Sequence, residues 1–216
     1  MAGSSSDRQS LRGVYLLTRE TADSDALCAG VAAALRAGVA IVQYRDKSTN
    51  HGRRLEQARA LRELTRAHRA LLIINDDLAL AQAIAADGVH LGLEDTALAQ
   101  ARTELGSDLL IGASCYNDLA RAHAAAQAGA DYIAFGAFFP SGTKPAARQA
   151  DPSLLRESAT LGLPRVAIGG ITAHNARPLL AAGADSIAVL GAIWDAPDRE
   201  AAARELVQLF ESRESP

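Results

Sequence analysis

A chain of 216 residues that is 49% hydrophobic but only 4% aromatic has the length of one α/β domain and must fill its core with Ala, Leu, Ile and Val. A net charge of −3 with no Lys/Arg block argues against nucleic acid as a partner. No apolar run approaches the roughly 20 residues of a membrane span, and two widely separated cysteines, Cys28 and Cys115, form neither a disulfide framework nor a zinc spacing.

The first residues are polar and lack the apolar stretch of a secretory signal. Segments 1–12 and 212–216 read as loose tails, with residues 13–211 as the folded domain. The expected setting is a reducing cytoplasm, with no membrane and no nucleic acid.

In chain order, β-rich runs are expected at Gly13–Thr18, Val39–Arg45, Leu71–Asn75, Gly88–Leu91, Leu109–Ser114, Tyr132–Gly136, Arg165–Gly169 and Ser186–Leu190. Between them lie Ala-, Leu- and Arg-rich stretches with helical spacing, such as Leu55, Ala58, Leu61 and Thr65, or Leu119, Ala122, His123 and Ala126. Every second strand is entered through a similar joint: Ala37-Gly38, Asp87-Gly88, Ala128-Gly129 and Ala182-Gly183. Each reads as a helix stop with Gly in the left-handed conformation.

Strands apolar on both faces that alternate with helices predict an α/β fold, a single (β/α)8 TIM barrel whose closure leaves no sheet edge. The competitor is an open doubly wound sheet. Its Gly-rich first turn is missing after Gly13–Glu20.

Ligands of such a barrel sit at the C-terminal strand ends, and polar residues gather there. They are Gln43-Tyr44-Arg45-Asp46-Lys47, Asn75-Asp76-Asp77, Glu94-Asp95, Ser114, Ser141-Gly142-Thr143-Lys144, Gly169-Gly170 and Leu190-Gly191. The last two expose backbone N–H groups suited to a phosphate, with Thr172 as a candidate N-cap of the following helix. Arg45, Lys47 and Lys144 beside Asp76 and Asp95 suit a diphosphate held with Mg2+, a hard ion that takes one or two carboxylates plus phosphate oxygens and water.

Bland readings stand beside these. Arg45, Asp46 and Lys47 form an ordinary charged turn if taken alone, and Asp77 reads as a helix cap. His90 is divided between core and function, while His51, His68, His123 and His174 read as surface. Cys115, Cys28 and Trp194 read as packing residues.

Taken together, these segments resemble the thiamine-phosphate synthase family over roughly residues 13–210. The match runs through Gln43-Tyr44-Arg45-Asp46-Lys47, Asn75-Asp76, Gly88–Asp95, Ile111–Ser114, Pro140-Ser141-Gly142-Thr143-Lys144 and Ala167–Ile171. The resemblance implies a transferase of thiamine biosynthesis that releases pyrophosphate. It places Gln43 to Lys47, Asn75, Ser114 and Lys144 around a pyrimidine diphosphate, with Arg45, Lys47, Ser114 and Lys144 as the catalytic set. Asp76 and Asp95 would bind Mg2+, and Ser141, Gly142, Thr143, Gly170, Leu190 and Gly191 a thiazole phosphate.

Three departures from the family pattern are Ser141 for Thr, Tyr44 for Leu, which alters the wall of the site, and Gly191 for Ser, which removes a hydroxyl donor. The alternatives are a thiazole tautomerase-like relative and a phosphate-ligand sensor without catalysis. The residues leave both a monomer and a homo-oligomer open, and do not say whether the thiazole carries a carboxylate.

Overall fold

The computed structural model describes residues 11–92, 95–140 and 149–211, with the side chains of 95–97 outside that description. Its strands are β1 (Gly13–Leu17), β2 (Ile41–Tyr44), β3 (Leu71–Asn75), β4 (Gly88–Leu91), β5 (Leu110–Tyr116), β6 (Tyr132–Phe135), β7 (Arg165–Ile168) and β8 (Ser186–Val189). Each pairs in parallel with its neighbours in sequence, and β8 closes on β1, with Gly13 opposite Ser186 and Leu16 opposite Val189. The eight expected strands are present, and the structure is the expected single-domain closed barrel.

Around it run α1 (Ser24–Arg36), α2 (His51–Ala67), α3 (Leu78–Ala83), α4 (Asp95–Leu105), α5 (Leu119–Gln127), α6 (Ser153–Glu157), α7 (Arg177–Ala181), α8 (Gly191–Trp194) and α9 (Arg199–Glu211). Among the described residues, Asx caps start five of them: Asp23 accepts from Ala26, Asn50 from Arg53, Asp77 from Leu80, Asp118 from Ala120 and Arg121, and Asp198 from Ala201. Each such cap contributes about 1 kcal/mol by satisfying N–H groups that the helix leaves open.

The alternation of side chains along the strands divides the core into two layers. Alternate positions along each strand, such as Tyr15, Ile41, Ile73 and Tyr132, fill the barrel interior. Their neighbours Val14, Val42, Leu72 and Ile133 pack outward under the helices. Leu11, assigned by the sequence to the tail, is fully buried within the interior cluster, and its carbonyl accepts a hydrogen bond from Ser186 Oγ at 2.8 Å. An apolar side chain just before β1 is what stoppers the barrel floor.

Three of the four expected Gly joints have positive φ: Gly38 (98°), Gly129 (88°) and Gly183 (103°). The fourth differs. At this joint Ala85 takes the left-handed conformation (φ 50°), and Gly88 lies inside β4, where a Cβ would meet the Leu110 carbonyl oxygen at 2.4 Å. Gly88 therefore permits close strand approach rather than a helix stop.

The floor of the barrel carries its own repeat. Asp87, Asp131 and Asp185 each stand just before an even-numbered strand and accept the N–H of the preceding strand: from Leu72 at 2.7 Å, Ile111 at 2.8 Å and Arg165 at 2.8 Å. Each carboxylate also binds an arginine, Arg62 at 2.5 Å, Arg102, and Arg165 at 3.1 Å respectively. Charge and backbone donors are both satisfied, which makes these partly buried ions tolerable.

Candidate active site

The C-terminal mouth of the barrel is organised differently. Gln43 is an inward residue of β2, beyond Ile41, and is 4% exposed; its Nε2 donates to Tyr15 Oη at 2.8 Å. The loop beyond β2 is stapled to β1 by Thr18, a buried residue whose N–H donates to the Gln43 carbonyl and whose Oγ1 accepts from Arg45 N at 2.9 Å. Lys47 N donates to Glu20 at 3.0 Å. These bonds fix the backbone of Arg45 and Lys47. Among the described residues, neither side chain has a carboxylate within salt-bridge distance, in contrast to the arginines of the floor.

Two members of the expected binding set turn away from the mouth. Tyr44 follows the inward Gln43, so alternation points it outward, where its phenol donates to Gln57 Oε1 at 2.8 Å. Burial, then the nearby Asp46, pushes that phenol's pKa up. Tyr44 does not form the wall of the site.

Asp46 is also committed: it accepts from Ser48 N at 2.7 Å and Arg53 Nη2 at 3.3 Å, and its side chain is 1% exposed. Burial alone would raise its pKa, but the Ser48 and Arg53 bonds outweigh it and hold it below the usual value. Its carboxylate shapes the loop and is not offered to a ligand.

At the end of β3, Asn75 Nδ2 donates to Asp76 Oδ2 at 2.7 Å. Asp76 is exposed with φ 61°, and its N–H donates to the His90 carbonyl at 3.0 Å. An Asp in the left-handed region costs some strain and marks a constrained position. Asp77 caps α3 as expected and also pairs with Arg54 at 2.5 Å.

His90 of β4 is buried inside the barrel, with Nδ1 3.1 Å from Tyr132 Oη and Nε2 2.9 Å from Ser114 Oγ. Burial pushes its pKa down to about 4, against an opposing pull from the Asp76 charge. His90 is thus a satisfied core histidine, and its second ring nitrogen faces Ser114 on β5. The neighbouring Cys115 faces the other way and is fully buried.

On the far side of the mouth, the chain leaving β6 is zipped onto β7. Phe138 N donates to the Ile168 carbonyl at 3.1 Å and Phe139 N to that of Gly169 at 3.0 Å. Gly169 (φ 103°) and Gly170 (φ 62°) are required here, because a Cβ on Gly170 would lie 2.4 Å from the Pro140 carbonyl oxygen.

Thr172 does not cap a helix with its side chain; its N–H donates to Asn175 Oδ1 at 2.8 Å, and α7 begins only at Arg177. Leu190 and Gly191 stand at the start of α8, and a Cβ on Gly191 would lie 2.8 Å from Asp195 Oδ2. Asp195 in turn holds Arg19 of the β1 loop at 2.6 Å.

Trp194 packs as expected, with Nε1 donating to the Leu17 carbonyl at 2.8 Å. Ser141, Gly142, Thr143 and Lys144 lie outside the described residues, as does the side chain of Asp95.

The sequence reading missed Tyr15, Thr18, Arg19 and Tyr132. A phenol in each of two barrel strands was the available signal, since a buried Tyr hydroxyl needs a partner.

Comparison with known proteins places this geometry. The family model described as thiamine monophosphate synthase matches residues 14–193. The chain is 58% identical over 199 residues to the thiamine-phosphate synthase of Thiobacillus denitrificans, covering 92% of this chain and 94% of that one. It is 53% identical to that of Chromobacterium violaceum, covering 94% and 98%. Among solved structures, thiamine phosphate pyrophosphorylase from Pyrococcus furiosus superposes with a TM-score of 0.85 at 35% identity, covering 96% of this chain and 99% of that one. The chain therefore belongs to the thiamine monophosphate synthase family.

Proposed function

We propose that this transferase joins 4-amino-2-methyl-5-hydroxymethylpyrimidine diphosphate to a hydroxyethylthiazole phosphate, giving thiamine phosphate and diphosphate, with Mg2+ as its metal and the cytoplasm as its setting. The observation that carries the reading is the state of the charges at the mouth. Arg45, Lys47 and the exposed Asp76 are held in place through their backbones, with no salt bridge to one another or to any other described residue. Cations and a carboxylate positioned in this way suit a ligand that brings both phosphate and a divalent ion.

The residues present fit that ion. Asp76 Oδ2 is occupied by Asn75, and Oδ1 lies 3.8 Å from the point where a Cβ would stand on Gly92, the residue leading from β4 toward Asp95. Among the described residues no group of three or more His, Cys, Asp or Glu could enclose a metal. Mg2+ needs only one or two carboxylates when phosphate and water complete its shell. Asp76 and Asp95 would hold it, and it would supply Lewis-acid neutralisation of the departing diphosphate.

The reaction forms a bond from the thiazole nitrogen to the pyrimidine methylene carbon as the carbon–oxygen bond breaks, with the electron pair leaving on diphosphate. The amino-pyrimidine ring delocalises the positive character at carbon, so no protein nucleophile is required. Arg45 and Lys47, with Lys144 from the loop after β6, take up the charge that grows on the leaving group. Gln43, Asn75 and Ser114 hold the pyrimidine half. The Ser141–Thr143 loop, Gly170 and the Leu190-Gly191 turn hold the thiazole phosphate, which fixes the two reacting atoms in one orientation.

The test is diphosphate release from the two substrates with and without Mg2+. Release that requires both substrates and the metal is expected; release without metal, or none with thiazole phosphate bound, would overturn the reading.

A further inference from the structure

Five side chains from five strands form one hydrogen-bonded row through the barrel interior. Gln43 Nε2 lies 2.8 Å from Tyr15 Oη, Tyr15 Oη 3.0 Å from Tyr132 Oη, Tyr132 Oη 3.1 Å from His90 Nδ1, and His90 Nε2 2.9 Å from Ser114 Oγ. Tyr15 is 1% exposed and Tyr132 0%. Apolar Ile41, Ile73 and Ala134 surround them. Room for the second phenol is made by Gly112 of β5, where a Cβ would lie 2.0 Å from the Tyr132 ring.

The row has a direction, because each member has few protons to give. Gln43 donates to Tyr15; the buried Tyr15 proton needs an acceptor and has Tyr132 Oη beside it, which leaves the single Tyr132 proton for His90 Nδ1. The ring hydrogen of His90 is then on Nε2 and is donated to Ser114 Oγ. Ser114, having accepted one bond from below, keeps its own proton for the mouth. At the other end, the row uses only Nε2 of Gln43 and leaves Oε1 free.

We infer that Tyr132 is a positioning residue: from the barrel interior its hydroxyl holds His90 in the Nε2–H form, so that Ser114 meets the pyrimidine substrate as a hydrogen-bond donor while Gln43 Oε1 meets it as an acceptor. The inference rests on the mouth being the pyrimidine site. Tyr132 acts only through His90 and Tyr15, since it is fully buried beneath them. A half-satisfied buried network costs more than none, which is why one missing hydroxyl disturbs both ends.

The experiment is 15N NMR of His90 in the ligand-free protein, followed by kinetics of Tyr132→Phe, Ser114→Ala and the double variant. Wild-type His90 is expected to carry its hydrogen on Nε2, with Nδ1 bare; Tyr132→Phe shifts the ring toward the Nδ1–H form. Tyr132→Phe raises KM for the pyrimidine diphosphate about tenfold, the size expected for one hydrogen bond, and leaves KM for the thiazole phosphate unchanged. In the Ser114→Ala background the same change adds little.

Hydrogen on Nδ1 in the wild type overturns the inference, as does a Tyr132→Phe penalty that multiplies fully with that of Ser114→Ala. If Tyr132→Phe does not fold, the wild-type tautomer and Tyr15→Phe, which cuts the row one bond earlier, decide the matter. Failure to release any diphosphate would count against the functional reading while leaving the tautomer measurement standing.

Discussion

The two ends of this barrel use the same residue types in opposite ways. At the floor, Asp87, Asp131 and Asp185 each hold both an arginine and a backbone N–H, and no charge is left over. At the mouth, Arg45, Lys47 and Asp76 have fixed backbones while their charged ends remain outside any salt bridge among the described residues. The floor spends its charges on closing the sheet, whereas the mouth keeps its own for a ligand. The contrast agrees with the general division of labour in such barrels, with stability at the N-terminal end of the strands and chemistry at the C-terminal end.

That contrast can be broken by substitution, beginning at the mouth. Asp76→Ala should lower turnover by about 100- to 1,000-fold, the cost of removing one transition-state charge partner. Its unfolding midpoint should fall only slightly, because the carboxylate is exposed and the loss is confined to Ala being less suited than Asp to the left-handed φ of 61°. A normal rate at saturating Mg2+ would remove Asp76 from the site.

The interior between the two ends should show itself in pH dependence. His90 has a folded pKa of about 4 against an ordinary value of 6.5. Between those values the unfolded chain binds a proton that the folded protein does not, so stability rises with pH across this window and is lost as pH falls through it. The total is about 3 kcal/mol. Denaturant unfolding of wild type and His90→Gln from pH 4 to 7 should show a steeper slope in the wild type; equal slopes would contradict the burial assigned to His90.

At the floor, Asp87→Ala should cost about 2 kcal/mol of stability, because it strands a largely buried Arg62 and the Leu72 N–H. The rate per folded molecule should not change. The smallest effect is expected at Gly191. A side chain there displaces only the exposed end of Asp195, so Gly191→Ser should move stability by less than about 0.5 kcal/mol. Its new hydroxyl should lower KM for the thiazole phosphate by about fivefold, and an increase in KM would mean that Asp195 cannot give way.

Much of this architecture was legible in the sequence, for reasons that differ by element. The strands could be read because a closed parallel barrel makes them apolar on both faces, and polar runs such as Asn75-Asp76 mark where they end. What failed was local direction. Tyr44 and Asp46 stand beside Gln43 and Arg45 in one motif, but pleating turns Tyr44 outward, and Arg53 and Ser48 draw Asp46 into the loop.

Leu11 was lost because one apolar residue in a polar tail has no periodicity. The row from Gln43 to Ser114 depends on the stagger of strands far apart in sequence, with Tyr15 and Tyr132 separated by 117 positions, and no local pattern encodes it.

The most direct test of the account compares Asp76→Ala with Asp87→Ala at a temperature where both remain folded, measuring diphosphate release and the unfolding midpoint on the same samples. The account predicts release close to the wild-type rate with a clearly lowered midpoint for Asp87→Ala, and nearly abolished release with a much smaller change in midpoint for Asp76→Ala. The reverse pattern, or equal loss of rate in both, would contradict the separation of a structural floor from a catalytic mouth.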